Sequence, residues 1–514
     1  MTMNIRRLIH IFIAFACLAM LSACYNYDQE GIEEVNAGNY YINLAISVSS
    51  GNEHSTRADE PQGGENGDGR EAGFERENTI TGITLILYQD GTGINTTADP
   101  TLDLVRYFPV SLDSHDPQGT EYTTKKEEAY YTTGNQPLGT HNLDLSATYH
   151  AIVIANAPEL TTSLIEGTSK LSNVRDATSR YIYVGDPTKS ADNCRNFVMS
   201  SEADNTINFG SVTVTNLDGT PHEKGKDILF DVSTQPLVIE RLAARIDFWA
   251  ANSEGYKTSA DNPAYLIPGY EYKVGTTNDR FVVTGIVPFN LTNSHINYGK
   301  EYLIKRLKDD LSETAVKYLS NETAATSYVF DPNTLNKTND VNPTLDSPLD
   351  NLYPMIPESG TLDIENVSDN PYFHSVASMH ASASKYDISG KENVVVCYPM
   401  ENCLLPESRL YYHATGIAIV GYYYKNGTGT GTRLVYLGYL RHQGESETYD
   451  IQSYTTPLSK EATATMGTTK AMNFGIVRNN IYRVSINSID KMSTMELSIK
   501  VKKWDPYIHD FIYM

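Results

Sequence analysis

Apolar and polar residues alternate over 40–49. Ile42, Leu44, Ile46 and Val48 fall on one side, and Asn43, Ala45, Ser47 and Ser49 on the other. Period two predicts a strand with one buried face. Residues 78–88 form a β-branched and aliphatic run that stops at Gln89, Asp90 and Gly91, a turn signal. Further strands are expected at 102–108, 141–145, 149–156, 197–201 and 212–214. Residues 237–249 are the densest apolar stretch of the first half. Its start reads as a strand, although Leu242, Ala243, Ala244 and Arg245 also favour helix. The polar stretch after Trp249, with Gly255 and Pro263, marks an expected domain boundary. Strands resume at 281–289, 393–398, 411–424, 433–440, 480–489 and 495–501. Helical patches are expected at 157–170 and 302–319, and a long loop at 331–370, which is rich in Asn, Asp, Pro, Thr and Ser. Many short strands between turn signals predict an all-β protein of two β-sandwich domains.

The first residues carry a different pattern. Arg6 and Arg7 precede an apolar run over 8–20, followed by Leu21, Ser22, Ala23 and Cys24. This is a secretory signal whose apolar part is too short to span a bilayer. A cysteine directly after Leu-Ser-Ala has the form of a bacterial lipobox, in which Cys24 takes a diacylglycerol and 1–23 is removed. The alternative is a plain signal peptide with an incidental cysteine. Lipoprotein anchors carry more than one acyl chain, enough for stable attachment. Further on, Thr56, Arg57 and Ala58 lead into an acidic, Gly-rich stretch from Gly63 to Arg70. Such a composition is expected to form a mobile loop, and an arginine there is a natural site for a trypsin-like protease.

Composition narrows the function classes. Across 514 residues, Lys+Arg is 40 and Asp+Glu is 63, a formal net charge of −23. That balance argues against nucleic acid or anionic lipid as partner and suits an exported surface protein. Of five cysteines, Cys17 leaves with the signal and Cys24 carries lipid. Cys194, Cys397 and Cys403 remain, with no disulfide framework and no paired metal pattern; Cys397 and Cys403 either bridge or stay as buried thiols. The 36 tyrosines against 2 tryptophans suit half-buried strand faces. No G-x-S-x-G, H-E-x-x-H or phosphate-binding Gly loop occurs, so no catalytic residue, cofactor or metal is expected. His413 and His442 are isolated, and Asp340, Asp346 and Asp350 lack the order of a calcium loop. Tyr411, Tyr412, Tyr422, Tyr423 and Tyr424 read as cross-strand packing before they read as a sugar platform.

Several stretches together resemble the fimbrillins, subunits of type V pili in Bacteroides-like bacteria, with the likeness closest to major subunits of the short (minor) fimbria. The carriers are Cys24 with its lipobox, Thr56-Arg57-Ala58, and the runs 149–156, 197–200, 239–246, 398–402 and 474–484, with a closing strand that ends in Trp504. The resemblance implies two transthyretin-like β-sandwich domains, a lipid-anchored precursor at the outer membrane, and cleavage by an arginine-specific protease. It implies a cut between Arg57 and Ala58 and loss of the strand face Ile42, Leu44, Ile46 and Val48. The groove would be filled by a terminal strand of the next subunit. Partners would be other copies of the chain and accessory fimbrial subunits, and the product a non-enzymatic extracellular fimbria that mediates adhesion and biofilm formation. On this basis 1–23 is the signal, 24–57 the removed segment, and 58–250 and 251–514 the two domains.

Two departures are visible. Arg70 and Arg76 lie in or after the same loop and compete with Arg57 as cut sites. The tail after Trp504 is short and contains Pro506, which interrupts strand pairing, so a tip or anchor role stands beside a shaft role. The expected donor face is Leu497, Ile499 and Val501 with Trp504, which repeats the alternation of the lost strand. Its alternative is exchange of the tail alone, through Tyr507, Ile508, Phe511 and Ile512. The rival function is a lipid-anchored surface glycan-binding protein that keeps residues 24–57.

Overall fold

The computed structural model describes residues 39–49, 70–89, 100–113, 128–139, 143–144, 147–171, 173–174, 196–201, 205–223, 225–292, 352–353, 367–369, 373–382, 392–403, 415–440, 447–454 and 475–505. The signal, Cys24, Arg57, Ala58, Cys194, His413, His442, the acidic stretch with Asp340, the expected helix at 302–319 and the tail 506–514 lie outside them. The chain is all-β, with helices of at most two turns among the described residues.

Two compact units divide it. The first draws on Met1–Asn43, Gly134–Thr148 and Asn208–Val232, the second on the remainder. The first is a four-stranded sheet in the order Thr213–Asn216, Ile228–Asp231, β1 (Tyr40–Asn43) and Gln136–Gly139. Strand β1 runs parallel to one neighbour, with Ile42 opposite Phe230, and antiparallel to the other. Backbone bonds at both ends fix that register: Ile228 N donates to Asn39 O at 3.0 Å and Val232 N to Asn43 O at 2.9 Å. Ile42, Leu138, Phe209 and Phe230 are fully buried, and the two phenyl rings meet edge to face with centroids 5.1 Å apart.

The second unit contains two large sheets. One has the order Leu102–Pro109, Gly82–Tyr88, Thr148–Ala155, Met199–Ser201, Leu237–Arg241, β2 (Ala45–Ser49), Glu128–Thr132 and Ser111–Asp113. Its middle is aliphatic, with Ile86 opposite Ile152 and both fully buried. Strand Thr148–Ala155 ends at Asn156, whose φ of 59° suits asparagine. The Asn156 amide accepts from Thr81 N at 2.9 Å and donates to Phe197 O at 2.9 Å, which locks three segments at that corner.

The other sheet runs Gly255–Lys257, Gly269–Lys273, Arg280–Phe289, Gly416–Tyr424, Thr432–Tyr439, Glu447–Tyr454, Thr494–Asp505, Asn480–Lys491, Arg245–Trp249 and Asn393–Cys397. Phe248, Val283, Ile419, Tyr436, Ile486 and Leu497, from six of these strands, share one core. Two further short strands pair onto it, twelve in all among the described residues, and a sheet whose distant strands share a single core folds over on itself as a sandwich does. Helix Val376–Ser382 adds Val376 and Met379 to that core.

Three expectations are refined. The run 237–249 is two strands in two sheets, turned at the buried Leu242, Ala243 and Ala244; pairing on each side overrides the helix propensity of this corner. The chain thus passes between sheets at 242–244, while the compact units divide elsewhere. Only one helical turn, Leu160–Ser163, forms within 157–170, between Pro158 and Gly167, whose φ is 69°. The segment 40–49 is two strands rather than one. It is buried on both faces over 44–48, because its second half is an interior strand.

Candidate functional site

Ile42, Leu44, Ile46 and Val48 are all fully buried. Leu44 marks the break between β1 and β2, and its N–H donates to Thr133 Oγ1 at 2.9 Å. Strand β2 lies between Leu237–Arg241, parallel, and Glu128–Thr132, antiparallel; Ile46 faces Leu237 on one side and Tyr131 on the other. The opposite face is closed too: Ser47 is 1% exposed and Ala45 8%. Each half of this segment is therefore hydrogen-bonded along both edges within its own sheet. Four such aliphatic side chains contribute on the order of 6–12 kcal/mol of burial.

The described chain resumes at β3 (Arg70–Ala72), which runs parallel to the end of Thr494–Asp505, with Glu71 opposite Trp504. A short helix, α1 (Glu75–Asn78), follows. Between them they bury two carboxylates. Arg245 Nη2 donates to Glu71 Oε1 at 2.7 Å and Arg245 Nη1 to Glu77 Oε2 at 3.1 Å. The same guanidinium forks onto Asp247, from Nε at 2.9 Å and Nη2 at 2.7 Å. Arg483 donates to the other oxygen of Glu71, and Lys502 Nζ stands 3.7 Å from it. Asn393 supplies a further donor to Asp247 at 2.9 Å. Three carboxylates and three cations thus balance. Burial alone would lower the Arg245 pKa, but Asp247, Glu77 and Glu71 hold it well above the usual arginine value.

Glu77 is the hub of this cluster. Its Oε2 accepts from Phe74 N at 2.8 Å and from Trp504 Nε1 at 3.1 Å, while Tyr398 donates to Oε1. Burial, reinforced by the Glu77 charge, pushes the Tyr398 phenol far up, so it stays a donor. Trp504 stacks on Tyr398 with centroids 5.9 Å apart and meets the edge of Phe197 at 5.8 Å. Arg241 lies over the Trp504 ring and donates to Trp504 O at 3.0 Å and to Asn479 Oδ1 at 2.9 Å. Gly73 is needed for this approach: a Cβ there would stand 2.5 Å from Trp504 Nε1. Tyr131, in the strand beside β2, donates to Asn78 O at 2.8 Å. Burial pushes its phenol up to about 12 against the pull of Arg241.

The expected donor residues sit in this same framework. Leu497, Ile499, Val501 and Trp504 are buried in Thr494–Asp505, which is paired with Glu447–Tyr454 over 494–499 and with Asn480–Lys491 over 494–503. Among the competing cut sites, Arg57 lies outside the described residues. Arg76 is inside α1, half-buried, with its guanidinium 4.3 Å over the Phe74 ring and Nη2 3.4 Å from Tyr398 OH. A protease needs an exposed, extended chain, and this turn is neither.

The ionic clasp was not expected from the sequence. Its partners are separated by up to 412 positions, so no local spacing announces it. A partial signal was a charge at each of Glu240, Arg241, Arg245 and Asp247 inside the apolar run 237–249. Cys397 is buried; the side chain of Cys403 lies outside the described set. Tyr422, Tyr423 and Tyr424 lie on one strand: Tyr424 is buried against Tyr265, centroids 4.7 Å apart, and Tyr423 donates to Asp279. Among the described residues no group of His, Cys, Asp or Glu is placed to hold a metal, and no helix is long and apolar enough to cross a membrane.

No family model and no curated protein matches the chain. Several solved structures are similar to it, two of them fimbrial proteins by description. One is the tip fimbrial protein Mfa3 from Porphyromonas gingivalis with C-terminal truncation, at 8% identity and a TM-score of 0.36 over 91% of this chain and 100% of that one. The other is a fimbrial assembly protein from Parabacteroides distasonis, at 10% identity and a TM-score of 0.31 over the same shares. Likenesses this loose carry no argument about the site.

Proposed function

We propose that the chain is a structural subunit of a surface fimbria that assembles by strand replacement. The observation that supports this most is the seat of 40–49. A continuous ten-residue stretch supplies an interior strand to each of two sheets, and Arg57 follows it by eight positions in an acidic, Gly-rich sequence. Its loss would leave apolar slots with unpaired edges on both sides of each, and extended segments add readily to such edges.

In this reading Cys24 anchors the precursor to the outer membrane, and an arginine-specific protease cuts between Arg57 and Ala58. Residues 24–57 leave with Ile42, Leu44, Ile46 and Val48. A strand of a neighbouring fimbrial subunit then takes the vacated seat. The contact is head to tail and builds an open filament that serves adhesion and biofilm formation. No catalysis is invoked. The chain's own contribution to the next subunit is its C-terminal end, where Leu497, Ile499, Val501 and Trp504 lie. Their strand is already paired on both edges over 494–499, which favours exchange of the part beyond Trp504.

The test is the start of the protein recovered from the cell surface and the presence of filaments by electron microscopy. An N-terminus at Ala58, with Arg57→Ala leaving an uncut, unpolymerised lipoprotein, is the expected result. A surface form that retains residues 24–57 would refute the proposal and favour a lipid-anchored binding protein.

A further inference from the structure

The slot occupied by β2 has two demands, and only one is apolar. Leu44, Ile46 and Val48 fill one face completely. The other face presents Ala45 and Ser47, 8% and 1% exposed, so it is shut against solvent around a methyl and a hydroxymethyl. Strand β2 is flanked along both edges, so the side chains of a replacement cannot swing aside without breaking the ladder. An occupant must therefore alternate three large apolar residues with two small uncharged ones. A charged side chain at either small position would be desolvated, and Glu240, the carboxylate that shares this face in the neighbouring strand, is already paired with Arg478.

The C-terminal segments of this chain fail that rule. Over 495–501, three alternate apolar residues can be laid on Leu44, Ile46 and Val48 in two registers and two directions. Using Met495, Leu497 and Ile499 places Glu496 and Ser498 on the small positions. Using Leu497, Ile499 and Val501 places Ser498 and Lys500 there. Reversing the strand only exchanges the two positions, so every placement puts a charge where Ala45 or Ser47 sits. Over 505–514, every set of three alternate residues that avoids Pro506 includes His509 or Asp510.

Resting on the strand-replacement reading, we infer that the β2 slot selects against a second copy of this chain. Its occupant is a strand of a different polypeptide, with small uncharged residues between its apolar ones. The chain then receives a strand from an unlike subunit, so a filament cannot be built of this chain alone.

The experiment uses the full-length chain cut with an arginine-specific protease in the presence of fluorescent peptides. Binding is read by anisotropy, and release of the N-terminal segment by mass spectrometry. The probes are the 40–49 peptide, its Ser47→Lys form, the 494–505 peptide, its Lys500→Ser form, and the 505–514 peptide. The 40–49 peptide should bind as the native segment leaves, and Ser47→Lys should weaken it at least tenfold. The 494–505 peptide should bind at least tenfold more weakly than the 40–49 peptide, and Lys500→Ser should recover most of that loss. Comparable binding of the 494–505 or 505–514 peptide and the 40–49 peptide would overturn the selectivity while leaving strand replacement intact. Binding by none of them after cleavage, or no release of the native segment, would overturn strand replacement itself.

Discussion

The indole N–H of Trp504 donates to the carboxylate of Glu77 across 427 positions of the chain, at 3.1 Å, with both groups fully buried. This bond ties the last described strand to the segment that follows the expected cleavage loop. Trp504→Phe keeps the ring stack on Tyr398 but removes one donor from a desolvated carboxylate. It should cost about 1–3 kcal/mol in urea denaturation of the full chain. Combining it with Glu77→Gln should shrink that cost, because the two changes act on one contact.

Arg245 is the cation shared by Glu71, Glu77 and Asp247. Arg245→Met would leave three buried carboxylates with fewer positive partners, and a loss of about 3–5 kcal/mol is expected. Arg245→Lys should recover only part of it, since a single ammonium cannot reproduce the fork onto Asp247. Chemical denaturation midpoints decide this; equal stability of the Met variant would show the clasp to be energetically idle.

Much of the fold was legible in the pattern of side chains, and the clasp was not. Runs such as 82–88 and 480–489 announce themselves because β-branched and aliphatic residues dominate them and turn residues close them. The break at Leu44 left no trace, because the apolar alternation passes straight through it. What separates β1 from β2 is the partner each finds: Ile228–Asp231 and Gln136–Gly139 for one, Leu237–Arg241 and Glu128–Thr132 for the other. Glu71 and Glu77 follow directly on the acidic, Gly-rich stretch that ends at Arg70, and nothing in their spacing marks them for burial. Only the tertiary pairing with Arg245 and Arg483 turns them inward.

Alkaline pH should unfold the protein by a route that runs through its buried phenols. Tyr131 ionises near 10.0 when unfolded and near 12 in the fold, because burial disfavours the phenolate. A raised folded value means that its contribution is complete below pH 10.0 and disappears as pH climbs through about 12. Tyr270 and Tyr272 are pushed up by burial as well and act in the same direction. Urea midpoints taken below and above this window should fall with pH, and Tyr131→Phe should make the fall shallower.

Maturation should be blind to Arg76. Its helical turn and its contacts with Phe74 and Tyr398 withhold it from a protease, so Arg76→Ala should leave the N-terminus of the surface form unchanged. A new start in that variant, read by N-terminal sequencing, would place the cut inside α1.

The seat of 40–49 also sets the order in which the molecule can be made. Strand β1 waits for residues 228–231 and β2 for residues 237–241, so these two strands, the first of the described chain, are not closed on both edges until those residues have been synthesised. A chain emerging N-terminus first therefore cannot complete either sheet until almost half of it has appeared. Contacts this distant in sequence slow folding. A slow-closing chain stays extended longer, and an extended chain is the form that passes most easily through a narrow channel.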